Sequence, residues 1–158
     1  MKTSHIYPGA SVLNAYLTVK GCKEAIAFYK KAFNATEKLR LLLPTGEIGH
    51  AELEIEGALV MLSEENLERG NKSPETTGGT PVSLVLYVKD VDSVFQQVVG
   101  AGATVTMPVQ DVFYGDRTGS LTDPFGHNWM IATHKKDVRK EEMQKLSDEM
   151  FASMMEHH

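Results

Sequence analysis

Tyr-Gly-Asp-Arg-Thr-Gly-Ser-Leu-Thr-Asp-Pro-Phe-Gly-His-Asn-Trp-Met-Ile, residues 114–131, reads as two short strands joined by a tight turn. Asp123-Pro124-Phe125-Gly126 supplies the turn chemistry: proline presets φ, and glycine accepts the positive φ that closes the bend. A weaker copy of this stretch lies 69 positions earlier, where Gly126 falls on Gly57, Met130 on Met61, Ile131 on Leu62, Gly115 on Gly46 and Asp116 on Glu47. The same shift, applied without a gap, carries Val88 to Val19, Lys89 to Lys20 and Ala101 to Ala32. The chain is an internal duplication.

Each copy shows the same order of elements. In the first, residues 12–63, a β-branched and apolar strand over Val12–Val19 is broken by Gly21 and Cys22, and a helix is expected over Lys23–Phe33. Ile26, Tyr29 and Phe33 make its buried face, and Asn34 tolerates the left-handed conformation that ends it. Strands are expected over Glu37–Leu43, His50–Ile55 and Ala58–Ser63, with Glu56-Gly57 as a two-residue hairpin turn. The second copy, residues 82–134, repeats the pattern. A strand over Val82–Val88 leads to a helix capped by Asp90, with Val94, Phe95, Val98 and Val99 inward. Strands near Thr104–Met107, Asp116–Thr122 and His127–Thr133 follow.

Each module is therefore β-α-β-β-β, and the fold class is α+β with two such modules in tandem. One helix covers one face of a small sheet, so pairing the modules into a curved, cleft-forming mixed sheet is the expected way to close the other. Residues 64–81 read as a linker or flap, containing Arg69-Gly70-Asn71, Ser73-Pro74 and Gly78-Gly79. Residues 135–158 carry an amphipathic stripe of Val138, Met143, Leu146, Met150 and Met154, with Phe151 beside it. That stripe is expected to pack on its own domain or on a dimer mate.

With 158 residues and 42% of them hydrophobic, the chain can bury a core. Its net charge of −5 argues against nucleic acid, which normally needs clustered Lys and Arg. No apolar run approaches the ~18–20 residues of a membrane span, and no signal peptide is visible, so neither a membrane nor export is expected. Cys22 is the single cysteine, so no intrachain disulfide forms, and a cytoplasmic, reducing setting fits. No base stands at recognisable spacing from that thiol, so it is not expected to be a nucleophile.

The duplicated module resembles the vicinal oxygen chelate superfamily, which contains glyoxalase I, extradiol dioxygenases, fosfomycin-resistance enzymes and bleomycin-resistance proteins. Ala25-Ile26-Ala27-Phe28-Tyr29 with Ala32-Phe33, Gly49-His50-Ala51-Glu52-Leu53, Tyr114-Gly115-Asp116-Arg117 and Asp123-Pro124-Phe125-Gly126-His127 carry the resemblance to its glyoxalase/bleomycin-resistance branch. In the metal-dependent members each module places one ligand on its first strand and one on its last. Carried over, those positions are Asn14 and Met61 in the first module and Ser83 and Met130 in the second. A divalent ion of hard or borderline character wants His nitrogen or carboxylate oxygen, so no metal is expected there, and no cofactor.

What remains is an apolar cleft floored by Met61 and Met130, with Asn14, Ser83, His50 and Glu52 as polar contacts. If Glu56-Gly57 is a two-residue turn, His50 and Glu52 share the face of Met61. They are then a general base with its orienting carboxylate, replacement metal ligands, or a hydrogen-bonded pair at a cleft mouth or dimer seam. Arg117 either holds a ligand carboxylate or phosphate bidentately or pins its own loop through Asp116 or Asp111. Tyr114 and Phe113 are candidates to wall the cavity, Trp129 belongs in the core, His127 is expected in solvent, and His5 sits in an unplaced arm. The expectation is a homodimer that binds a small organic molecule in the manner of bleomycin-resistance proteins. The alternatives are a metal-dependent lyase or dioxygenase-type enzyme using His50 and Glu52, or a structural dimer with a filled cleft.

Overall fold

The computed structural model describes residues 3–157. The first module runs β1 (Ala15–Val19), α1 (Cys22–Phe33), β2 (Thr36–Leu42), β3 (Ile48–Ile55) and β4 (Ala58–Glu64). After a short α2 (Pro74–Thr77), the second runs β5 (Ser83–Tyr87), α3 (Val91–Ala101), β6 (Thr104–Asp111), β7 (Asp116–Thr122) and β8 (Asn128–His134); α4 (Lys140–Glu156) follows. Each module forms a four-stranded mixed sheet, ordered β1-β4-β3-β2 and β5-β8-β7-β6. The first strand of each pairs parallel with the last, and the 69-residue offset holds there: Tyr16 stands beside Met61, and Val85 beside Met130.

The offset slips in the hairpins. Glu56 and Gly57, both at positive φ (49° and 79°), make a two-residue turn that opposes Ile55 to Ala58. In the second module Asp123 N–H donates to the carbonyl of His127, so three residues close that loop. The ungapped alignment is therefore wrong for β3 against β7. Glu52 faces Met61, whereas Ser120, not Leu121, faces Met130.

Helix α1 begins one residue earlier than its sequence suggests, because Glu64 of β4 caps it from outside. The N–H groups of Gly21 and Cys22 donate to that carboxylate at 2.9 and 2.6 Å. Asn34 closes the helix in the left-handed conformation, and Asp90 caps α3 by accepting from Ser93 N–H. Val91, Phe95 and Val98 form the buried stripe of α3; Val99, expected inward, is one residue past it and is exposed.

The two modules join on their helical side. Helices α1 and α3 pack together, and one core runs through both, with the rings of Phe33 and Trp129 4.6 Å apart. Burial of a large side chain such as Ile26 or Leu121 there is worth roughly 1.5–3 kcal/mol. Asp123 ties the halves with hydrogen bonds: its carboxylate accepts from Tyr29 Oη (2.5 Å), Trp129 Nε1 (2.9 Å), and the N–H groups of Phe125 and His127. His127, expected in solvent, is half-buried, and its ring donates to the Thr18 carbonyl at 2.9 Å. The longer second hairpin carries it across to β1.

The opposite sheet faces stay open. Tyr16, Val85, Tyr87 and Met107 are each about half exposed, Tyr16 at 50% and Tyr87 at 56%. Residues 64–81 are organised rather than slack. Ser73 is fully buried, with its backbone N–H and its hydroxyl both donating to Glu65, and Pro74 packs against Gly126. In α4 no residue is buried. Met143, Leu146 and Met150 are half-buried, while Phe151, Met154 and Met155 are exposed.

Candidate functional site

Strand alternation divides each sheet into a helix face and an open face. In the first module Ala51, Leu53 and Ile55 point to the core, and His50 and Glu52 point with Met61 to the open side. Tyr16, next to Met61 on β1, lies on the same face. A relay of hydrogen bonds crosses it. Tyr16 Oη and His50 Nδ1 are 3.0 Å apart, His50 Nε2 and Glu52 Oε1 are 3.1 Å apart, and Tyr7 Oη donates to Glu52 Oε2 at 3.3 Å. A neutral imidazole satisfies this relay, donating from Nε2 to the carboxylate and accepting at Nδ1 from the phenol. Both ring nitrogens are thereby engaged, Nε2 toward Glu52 and Nδ1 toward the Tyr16 hydroxyl.

Over this relay lies the N-terminal arm. It borders a half-open cavity of about 450 Å³ walled by His5, Ile6, Tyr7, Val12, Asn14 and, from the sheet, Glu52, Leu59 and Met61 among others. Glu52 is 7% exposed, an unusual place for a carboxylate. Among the described residues, His50 is the only basic side chain within ion-pairing reach of it.

The structure thus groups Asn14, Glu52 and Met61 around one cavity and keeps His50 against Glu52. Met130 occupies the equivalent open-face position in the second sheet, beside Val85 and Ser120, and is not a wall of that cavity. Ser83 starts β5 opposite Asn128 and is exposed. Tyr114 stands edge-on to Phe113 in the turn before β7. Arg117 points to the other face of β7, away from Met130. Its Nε and Nη2 donate to Asp92 at 2.9 and 3.0 Å and its Nη1 to Asp111 at 3.3 Å, so it pins α3 to the sheet edge. The guanidinium holds the Asp92 carboxyl below its usual range.

The second open face carries its own polar cluster. Tyr87 Oη donates to Asp116 at 2.6 Å, and His134 bridges Asp116 (2.6 Å) and Asp137 (2.7 Å). Hydrogen bonds to these two carboxylates raise the His134 pKa above the ordinary histidine value. Cys22 offers no chemistry: burial first, and then the Glu64 charge, push its thiol up to about 12.

The residues at the family's metal positions do not fit a divalent ion. Asn14 precedes β1 and is committed to a local turn, its Oδ1 accepting from Ser11 N–H and its Nδ2 donating to the Ser11 carbonyl. Met61 and Met130 offer thioethers, and Ser83 an exposed hydroxyl. Among the described residues, no group of three or more His, Cys, Asp or Glu side chains is placed to hold a metal.

Sequence reasoning missed Tyr7, Tyr16 and Leu59. Tyr16 was within reach, since it lies two residues after Asn14 on the same strand face. Tyr7 was not, because only tertiary placement of the arm brings it to Glu52.

Against known proteins, residues 10–131 match the model of the Glyoxalase/Bleomycin resistance protein/Dioxygenase superfamily. The chain belongs to this superfamily. It is 43% identical over 135 residues to an uncharacterized protein of Mycobacterium bovis, covering 84% of this chain and 89% of that one. The superfamily fold recurs in TioX from Micromonospora sp. ML1, which matches with a TM-score of 0.63 and 27% identity over 79% of this chain and 99% of TioX. A mutant of the fosfomycin resistance protein FosX from Listeria monocytogenes, complexed with Mn(II) and 1S,2S-dihydroxypropylphosphonic acid, matches with a TM-score of 0.61. Its identity is 16% over 85% of this chain and 96% of that one, a likeness of fold alone.

Proposed function

We propose that this superfamily member binds a small organic molecule on the open face of its sheets, without a metal at the family positions and without turnover. The observation that carries the reading is the cavity under the N-terminal arm. It combines apolar walls (Leu59, Met61, Val12) with a few polar groups (Glu52, Tyr7, Asn14), the composition of a ligand pocket.

A second copy of the chain completes the site in this reading. Within one chain the modules join by their helices, so the half-exposed Tyr16, Val85 and Tyr87 need a partner surface to leave water. The exposed Phe151, Met154 and Met155 of α4 add apolar area for the same partner. The protein acts in a reducing cytoplasm, with no membrane or nucleic-acid partner; among the described residues no helix is long and apolar enough to cross a membrane.

Elemental analysis together with sedimentation at micromolar concentration tests this. The expected result is a dimer, twice the 17.4 kDa chain mass, with no stoichiometric divalent metal, that weakens when the segment after Lys136 is removed. A 17.4 kDa species alone, or one tightly held zinc, nickel or iron lost on mutating Asn14, Met61, Ser83 or Met130, overturns it.

A further inference from the structure

We infer that the cavity selects a protonated amine on a flat apolar body, with Glu52 as the charge that recognises it and Tyr7 as the internal occupant that the ligand displaces. This rests on the ligand-binding reading above and gives it a chemical class.

Three observations carry it. The Glu52 carboxylate is nine-tenths buried in an apolar wall, and a buried carboxylate is costly unless a cation or strong donors compensate it. Both of its oxygens have a hydrogen-bond partner, but its compensation within the chain contains no permanent cation. His50 is a cation only when protonated, Tyr7 offers a long 3.3 Å hydrogen bond, and among the described residues no Lys or Arg reaches it. An ammonium group completes what the chain leaves short.

The second observation is the position of Tyr7. On its far side lies another cavity of about 400 Å³, walled by Pro8, Gly9, Lys38, Leu39 and Glu54. The two cavities share Tyr7, Glu52 and Leu59 as walls, so the Tyr7 side chain is the partition between them. With Tyr7 withdrawn they become one space on the sheet, Glu52 at its middle. Tyr7 is itself 56% exposed and hangs from an arm held by local turns, so swinging it out breaks one weak hydrogen bond and little packing.

The third is the ring that sits there now. A phenol with its donor turned to Glu52 marks the shape the face accepts: an aromatic plate with a hydrogen-bond donor at one end. An arylalkyl ammonium has that plan and adds a full charge.

The test titrates the 158-residue protein with phenethylammonium, 3-phenylpropionate and 3-phenylpropan-1-ol, which differ chiefly in charge. Phenethylammonium is expected to bind at least tenfold more tightly than the other two. Glu52→Gln is expected to erase that preference, and Tyr7→Ala, which removes the partition, to tighten amine binding severalfold. Equal binding of all three probes to the native protein overturns the charge selection while leaving a small-molecule site standing. A Glu52→Gln protein that still prefers the amine also overturns it. Failure of all three to bind at millimolar concentration removes both this inference and the reading beneath it. Should Glu52→Gln not fold, the native preference and the Tyr7→Ala response decide alone.

Discussion

Replacing Asp123 with alanine is expected to lower the unfolding free energy by about 2–5 kcal/mol, since two buried donors each lose their acceptor at roughly 1–3 kcal/mol apiece. The carboxylate is 4% exposed and accepts four hydrogen bonds, two of them from Tyr29 and Trp129 in the shared core. Without it the phenol and the indole N–H are left buried with no acceptor, and the loop of Pro124, Phe125 and Gly126 loses the anchor that shapes it. Tyr29 comes from the first module and Trp129 from the second, so the loss falls on the join between them. Burial and the adjacent Asp123 charge hold the Tyr29 phenol protonated well above its ordinary range, which keeps it a donor at every working pH. Asp123→Asn retains one oxygen acceptor and is expected to lose less. Urea denaturation of both variants measures the difference; a loss below about 1 kcal/mol for Asp123→Ala would mean that the join does not depend on this group.

Gly115→Ala is expected to be nearly as damaging, by about 2 kcal/mol or more. Gly115 has φ +98°, and an added Cβ would sit 2.0 Å from the Lys136 carbonyl oxygen, a backbone atom that cannot swing aside. The Gly115 carbonyl accepts from the N–H groups of both Lys135 and Lys136, so this one residue ties the chain leading to α4 onto the end of β7. The expected result is a lower unfolding midpoint together with faster amide hydrogen exchange at Lys135 and Lys136. An alanine variant with native stability and native exchange would show that this contact is loose. The motif Tyr114-Gly115-Asp116-Arg117 then has a structural meaning at each step. Gly115 ties the tail, Asp116 accepts from Tyr87 and His134, and Arg117 holds α3.

These two positions show what was legible in the sequence. The duplication, the module order and the helix caps at Asn34 and Asp90 could all be read, because periodicity and capping are local properties. The two-residue turn at Glu56-Gly57 could be read too, and with it the shared face of His50, Glu52 and Met61. The limits came from geometry that no single copy encodes. A one-residue difference between the hairpins breaks the repeat between β3 and β7, so Ser120 stands where Glu52 stands, and the second sheet has no carboxylate at that point. The face that Arg117 takes follows from this register, and Asp92, its partner, lies 25 residues away on another element. The contact between Tyr7 of the arm and Glu52 spans 45 residues of sequence, and the arm has no periodic signature. Local patterns give the scaffold, whereas the site is assembled by long-range contacts.

A small organic molecule is expected to bind on the open face of the first sheet. Methionine methyl NMR tests it most directly, because Met61 lies on the floor of the cavity while Met154 and Met155 are exposed on α4. Protein labelled at the methionine methyls is titrated with phenethylammonium and its neutral and anionic analogues. At least one probe is expected to shift the Met61 resonance in a saturable way while those of Met154 and Met155 hold still. Shifts confined to the α4 methionines, or a Met61 resonance unmoved by every probe at millimolar concentration, would contradict it.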